Sequence, residues 1–366
     1  MLTREQQIAV LQADWDSNPR WSGICRNYSA AEVIRLRSAL GARHAVANNG
    51  ALKLWNLLHK ESFVNALGAR NGNEAVQQVK AGLKAIYVGP AGVEVDPGQA
   101  LNPANSVNLV LQRIHHALAA ADGLQRSDSS GEIDYFAPII VDAQAGLGAA
   151  CHPYEFTQSL IAAGAAGVHV DDQLAAVSYS PKRKILLSTS AAVEKLNAAR
   201  LAADVLGVPT VLLARTDAET ADLIISAEDA ADQPFLTGER TVDGYHKTRS
   251  GLEQAVARGL AYAPYADMIW CETDRPDLDF ARQFAHAIHA SFPGKLLAYN
   301  CSSSFNWKEN LDDATIAKFQ KELGRMGYQF QFTGLAGFSG LNDTMFKLAH
   351  GYVRRQMSAF VELHEA

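Results

Sequence analysis

Eight short runs of β-branched or apolar residues recur along the chain, each followed by glycine or polar residues and most by a segment of helical periodicity. They cover 63–67, 83–88, 138–141, 167–170, 210–214, 268–271, 296–299 and 330–333. Between them, 154–163, 191–206, 251–263, 278–290 and 312–326 carry the spacing of helices. In the last of these, Ile316, Phe319, Leu323 and Met326 form one apolar stripe that predicts a core-facing side. Strand, helix and strand repeated to eight is the unit of a parallel barrel, so the pattern predicts an α/β fold, a (β/α)8 TIM-type barrel. Residues 1–60 read as helices outside the barrel, 61–340 as the barrel, and 341–366 as one or two further helices, all in a single domain. The polar, Gly- and Ser-containing stretches 123–134 and 228–250 predict the longest loops, the second leaving a strand end where lids commonly grow.

Composition narrows the class. A net charge of -6 with no Lys/Arg cluster argues against nucleic acid, whose phosphates demand a basic surface. The four cysteines, Cys25, Cys151, Cys271 and Cys301, form no CxxC pair, so neither a disulfide framework nor a structural zinc site is expected. The opening MLTREQQIAVLQADW has charges throughout and no apolar core of a signal peptide, and no later stretch approaches a membrane span. The expectation is a soluble, untargeted cytoplasmic protein.

The chemistry-bearing residues stand where the apolar runs end. Ile139-Ile140-Val141 runs into Asp142, and Gly167-Val168-His169-Val170 into Asp171 and Asp172. Convergent carboxylates at barrel strand ends favour a hard divalent cation, Mg²⁺ foremost and Mn²⁺ next; the alternative is that Asp142 and Asp171 cap helices or form turns. Arg215-Thr216-Asp217 places a cation at another exit, whose planar fork can hold a substrate carboxylate or pair with Asp217 or a metal-site acid. Glu272 ends the run 268–271 and is either a site acid or a loop carboxylate paired with a cation. The segment from Asn300 through Ser302 and Ser304 to Trp307 is dense in small hydrogen-bonding groups, as an anion site or a ligand-free Ser-rich turn would be. Cys151-His152 makes a poor nucleophilic pair, because adjacent side chains rarely face each other. Gly146-Leu147-Gly148 lacks the third glycine of a dinucleotide fingerprint.

These residues, with the surrounding TREQQIAVLQADWDSNPRW, GAAGVHVDDQL, VPTVLLARTDAE, FLTGER, ADMIWCET, PGKLLAYNCSSSFNWK and YQFQFTGLAGF, resemble the isocitrate lyase family of the phosphoenolpyruvate mutase and isocitrate lyase superfamily over almost the whole length. The resemblance implies a barrel whose C-terminal helix is exchanged with a neighbour, in a homo-oligomer, dimer or tetramer. It implies a Mg²⁺ environment of Asp96, Asp142, Gln144, His169 and Asp171, with Asp142 nearest the metal. Arg215 would bind substrate carboxylate and Glu272 would lie at the site, while Asn300, Ser302 and Ser304 would hold a succinate-like end. Four family features are replaced. The Lys-Lys-Cys-Gly-His flap, whose cysteine acts as acid or base, corresponds to AAVSYSPKRK, residues 175–184. The Ser-Gly-Trp that receives glyoxylate corresponds to Gly89-Pro90-Ala91, a metal-shell glutamate to Gln144, and a threonine to Gly334. The family's closing C-terminal tail has no counterpart in the 366 residues.

Two functions follow. One is a Mg²⁺-dependent carbon–carbon lyase for a 2-oxo or 2-hydroxy di- or tricarboxylic acid, with ordinary isocitrate cleavage not expected, because losing a positioned acid or base costs on the order of 10² to 10⁴ in rate. The other is a catalytically silent homologue that binds a dicarboxylate or a protein partner.

Overall fold

The structure, a computed structural model, describes residues 2–37, 44–89, 103–128, 131, 133–143, 153–174 and 184–364. Twelve strands are seen among them, in chain order β1 Val64–Gly68, β2 Ala85–Val88, β3 Ile139–Asp142, β4 Gly167–Asp171, β5 Ile185–Leu186, β6 Val211–Thr216, β7 Leu223–Ile224, β8 Leu236–Arg240, β9 His246–Thr248, β10 Met268–Cys271, β11 Leu296–Asn300 and β12 Tyr328–Thr333. Eight of them close a parallel barrel in the order β1-β12-β11-β10-β6-β4-β3-β2. The other four form a small sheet, β5-β7-β9-β8. All eight apolar runs of the sequence are barrel strands.

The helices are α1 Arg4–Ser17, α2 Ala30–Leu36, α3 Ala45–Lys60, α4 Gly72–Lys80, α5 Pro103–Asp128, α6 Pro153–Ala162, α7 Thr189–Leu206, α8 Leu252–Tyr262, α9 Leu278–Ser291, α10 Trp307–Asn310, α11 Asp313–Arg325, α12 Ala336–Arg355 and α13 Met357–His364. Their limits are set by ordinary signals. Ser188 caps α7 by accepting from the Ala191 N–H, and Gly207, in the left-handed region at φ 68°, ends it. Asp312 caps α11 through the Thr315 N–H, and the buried part of its predicted stripe is Phe319 and Leu323.

Alternation along the strands separates two apolar layers. Val64, Ala66, Ala85, Tyr87, Ile140, Val211, Leu213, Met268, Trp270, Leu296, Ala298, Phe330 and Phe332 fill the barrel, with Leu54 and Leu58 of α3 packed into its N-terminal end. Val168, Val170, Leu212, Ala214, Ile269, Cys271, Leu297, Tyr299 and Cys301 face the surrounding helices. Helix α3 therefore plugs the barrel end away from the strand C-termini.

Two loop expectations are corrected. The stretch 123–134 is helical as far as Asp128, because α5 runs on. The stretch 228–250 contains the β8–β9 hairpin, whose short, exposed and charged β8 carries no apolar alternation to announce it. The last long helix begins at Ala336 rather than 341.

Candidate active site at the barrel mouth

The inward parity that fills the barrel with apolar side chains continues one step further at each strand's C-terminal end. On β3, β4, β6, β10 and β11 that last inward position is Asp142, Asp171, Arg215, Glu272 and Asn300. These five strands are consecutive around the barrel. On the remaining three, β12, β1 and β2, the same position is Gly334, Gly68 and Gly89. The mouth thus has a charged arc facing a glycine arc. Gly68 is fixed by contact, since a Cβ there would lie 1.9 Å from the Gly334 carbonyl oxygen.

Beneath the charged arc lies an aromatic floor. Tyr87 stacks on Phe332 at 4.2 Å, Trp270 meets Phe332 edge-on at 5.0 Å, and His169 leans on Trp270 at 4.8 Å. The buried Asp142 faces this floor. Its Oδ1 is 3.3 Å from His169 Nδ1, and its Oδ2 lies 3.4 Å from the Tyr87 hydroxyl, which donates to it. Burial, then the Asp142 charge, holds the Tyr87 phenol well above its ordinary value, so it serves as a neutral donor. Asp171 takes Lys195 Nζ from α7 at 3.3 Å on Oδ1, and the same ammonium donates to the Asp171 carbonyl at 2.7 Å. Asp171 Oδ2 is buried with no partner among the described residues. Burial raises this carboxyl above its ordinary value against the pull of Lys195 and Arg215.

Arg215 is held by the partner suspected from its neighbourhood. Its Nε and Nη2 donate to Asp217 at 2.7 and 3.0 Å, and its guanidinium lies over the Trp270 ring at 4.6 Å. Lys184 adds a second cation 3.0 Å from Asp217 Oδ1. Burial would raise the Asp217 carboxyl, but Arg215 and Lys184 outweigh it and hold the acid well below the carboxylate range. Glu272 accepts from Asn300 Nδ2 at 3.3 Å on Oε1, while its Oε2 and the Asn300 Oδ1 have no partner among the described residues. Burial raises the Glu272 carboxyl, and Asp217 adds to the rise. Three unpartnered acceptor oxygens around one arginine form a mouth prepared for further donors or a cation.

The serines are used locally. Ser302 Oγ lies 2.8 Å from Ser304 Oγ and accepts from the Ser304 N–H at 3.3 Å, capping the short turn Ser303–Phe305, and Trp307 Nε1 donates to the Ser302 carbonyl at 2.8 Å. Ser302 is buried and Ser304 exposed. Asp172, one residue beyond Asp171, points the other way. Its carboxylate accepts from Thr216 Oγ1 (2.7 Å), the Asp217 N–H (3.0 Å), Arg258 Nη1 (3.0 Å) and the Tyr262 hydroxyl (2.9 Å), tying β4, β6 and α8 together behind the wall. It is an architectural acid, not part of the mouth. Cys271 and Cys301 also face outwards, and burial raises both thiols, Cys301 to about 12, so neither is a nucleophile at neutral pH. Asp96, Gln144, Cys151, His152 and residues 175–183 lie outside the described residues.

Sequence reading overlooked Tyr87, Lys195 and Lys184 as parts of the mouth. The first had a signal, since inward parity on β2 leads from Ala85 through Tyr87 to Gly89. The lysines had none, because they come from a helix and a loop whose docking is long-range. As to a metal, no group of three or more His, Cys, Asp or Glu forms a cluster among the described residues. Two carboxylates, Asp142 and Asp171, one with a bare oxygen, fit a cation that keeps several waters, as Mg²⁺ does.

Fold and mouth together define an α/β-barrel protein that gathers charged side chains at the C-terminal strand ends, the place where barrel enzymes keep their chemistry. Residues 111–243 and 238–365 match the model of the isocitrate lyase family. A protein of Halalkalibacterium halodurans named isocitrate lyase is 56% identical over 99% of this chain and 87% of its own length. Isocitrate lyase 1 of Mycobacterium tuberculosis is 52% identical over 97% of this chain and 86% of its own. Among solved structures, a 2,3-dimethylmalate lyase of the same superfamily has a TM-score of 0.56 at 22% identity, covering 84% of this chain and 88% of its own. An oxaloacetate acetylhydrolase has 0.57 at 20% identity, covering 84% and 86%. The chain belongs to the isocitrate lyase family, whose members are carbon–carbon lyases.

Proposed function

We propose that the protein is a Mg²⁺-dependent carbon–carbon lyase for an anionic 2-hydroxy or 2-oxo di- or tricarboxylic acid. The observation that carries this is the charged arc itself, where Arg215 and Asn300 flank Glu272 and Arg215 stands beside Asp171, with Asp142 next along the same mouth. Arg215 would bind a substrate carboxylate on the guanidinium edge left over from Asp217. Asn300 would donate to a second carboxylate, with Ser302 and Ser304 at the rim. Asp142, and Asp171 through water, would hold the cation with Asp96 and Gln144. Mg²⁺, or Mn²⁺ in its place, would supply a Lewis acid for the hydroxy or oxo group and for the electron pair left when the C–C bond breaks. Tyr87, neutral and hydrogen-bonded to Asp142, holds a proton at the floor, and Glu272, whose carboxyl burial raises, stands at the rim where it can exchange one.

The relatives named isocitrate lyase, at 51 to 56% identity, support isocitrate itself as substrate. Against ordinary turnover stands the interval 175–184, AAVSYSPKRK, which has neither Cys nor His. Glyoxylate release from isocitrate with Mg²⁺ separates the readings. Turnover of about 1 to 10³ per second makes this an ordinary isocitrate lyase. Rates lower by on the order of 10² to 10⁴, with faster cleavage of another 2-hydroxy acid, give a divergent lyase. Dicarboxylate binding without cleavage of any such acid leaves the silent homologue.

The assembly proposed is a homo-oligomer, dimer or tetramer, with exchanged C-terminal helices. It is supported by α12, which buries none of its residues and leaves Phe346 and Val353 70% and 77% exposed. No helix among the described residues is long and apolar enough to cross a membrane. A cytoplasmic location belongs to the same proposal.

A further inference from the structure

At the opposite end of the barrel, beside the N-terminal ends of β10 and β11, three cations are packed around one carboxylate. Asp267 Oδ1 takes Arg20 at 2.6 Å, and its Oδ2 takes Arg200 at 2.7 Å and the Leu212 N–H at 2.7 Å. Lys295 lies beside them, its ammonium donating to the carbonyls of Ala263 and Ala266 at 2.7 and 2.9 Å, which leaves one of its three N–H bonds unspent. Burial, reinforced by Arg200 and Arg20, pulls this ammonium below its ordinary range. A cavity of about 390 Å³ opens here, lined by Arg20, Lys295, Asp267, Trp55, His59 and Ser22 among others. The Arg20 guanidinium lies 3.9 Å over Trp55, and the exposed His59 ring sits 4.2 Å from the same indole.

We propose that this cavity is a second ligand site, for the phosphate or carboxylate group of a small molecule. Cations are in excess here: Arg20, Arg200 and Lys295 gather on Asp267, the other carboxylate acting on Arg200, Asp204, is itself paired with Arg26, and buried charge without a full counter-charge is costly. An anion donated to by Lys295 and facing Arg20 offsets that excess. The cavity's size falls in the range of small-molecule sites, about 300 to 1,000 Å³, and the tilted Trp55 and His59 rings give it an aromatic wall. Nothing in it is shared with the barrel mouth.

The test is calorimetric titration of inorganic phosphate, then succinate, into the full chain at constant ionic strength. Wild type is compared with Lys295→Gln, His59→Glu and Arg215→Ala. His59→Glu sits on an exposed residue and tethers a competing carboxylate at the rim, so it remains informative if Lys295→Gln fails to fold. Saturable phosphate binding should persist in Arg215→Ala and weaken about tenfold or more in His59→Glu and in folded Lys295→Gln. Succinate behaving likewise extends the site to carboxylates; phosphate alone behaving so restricts it to phosphate. The proposal is overturned if phosphate shows no saturable binding, or if binding is lost in Arg215→Ala and kept in His59→Glu.

Discussion

Replacing Arg215 by alanine removes a guanidinium whose position at the mouth is fixed from both sides, by Asp217 on one edge and the Trp270 ring beneath. Its Nε and Nη2 are already donating to Asp217, so a bound dicarboxylate meets Nη1 and the second hydrogen of Nη2. One or two charge-assisted bonds are therefore at stake. A single such bond is worth about 1.5 to 3 kcal/mol, which converts to a loss of roughly 10- to 150-fold in succinate affinity. The same substitution strips Asp217 of its main partner. Breaking a buried pair outright costs about 3 to 5 kcal/mol, and less is expected here because Lys184 remains 3.0 Å from Asp217 Oδ1. Titration calorimetry with succinate and Mg²⁺, on protein shown to be folded by circular dichroism, measures the first effect, and urea unfolding the second. Asp217→Asn separates them, since it lowers stability while leaving the Arg215 cation able to bind. If folded Arg215→Ala binds succinate within about twofold of wild type, the carboxylate-holding role of Arg215 is refuted.

Asp172→Ala should destabilise the fold in urea unfolding by less than the about 3 to 5 kcal/mol of an outright broken buried pair, because it leaves the Tyr262 hydroxyl and one edge of the Arg258 guanidinium without their shared acceptor while Asp232 remains 2.8 Å from Arg258 Nη2; a change under about 1 kcal/mol would contradict the architectural role. Mg²⁺ should raise the melting temperature of the wild type and not of Asp142→Ala, since a ligand bound only by the native state stabilises it; an equal rise in both would remove Asp142 from the metal site. Asp217 and Asp267 have native carboxyls held below their ordinary 3.8 by Arg215 with Lys184 and by Arg20 with Arg200. Their contribution is complete above that value and lost as pH falls through it towards the depressed native values, so unfolding should become steeply easier below about pH 4. Asp267→Asn should flatten that dependence, and an unchanged acid profile would show that the Arg20 and Arg200 contacts do not set it.

The barrel was readable because its evidence is local and repeated. Each strand is a short run such as Met268–Cys271 bounded by glycine or polar residues, and eight runs with helices between them leave few alternatives. The β8–β9 hairpin was not, since Leu236–Arg240 is exposed, charged and bound mainly through backbone pairing. Asp142, Asp171, Arg215, Glu272 and Asn300 could be named because strand ends are conspicuous in sequence. What those residues touch was less legible. Arg215 had both a ligand and an ion-pair reading, and only the fold shows Asp217 engaged on two atoms. Asp171 and Asp172 look equivalent as neighbours, whereas strand parity sends one to Lys195 at the mouth and the other to Arg258 behind it. Lys195 reaches Asp171 from the second turn of α7, a juxtaposition created by helix docking alone.

The glycine arc divides the mouth's specificity into two parts that can change independently. Charge recognition resides on β3, β4, β6, β10 and β11, whereas the space opposite is set where no side chain stands. Gly68 cannot move in that direction, because its Cβ would collide with the Gly334 carbonyl. Gly334 can: a Cβ there would meet nothing closer than Tyr87 Cε1 at 3.5 Å, an ordinary contact. On the proposed function, a single substitution at 334 would trim the length of acid the barrel admits and leave every carboxylate and cation in place. On that same function, this barrel could exchange one organic acid for a shorter or longer one without rebuilding its charged arc.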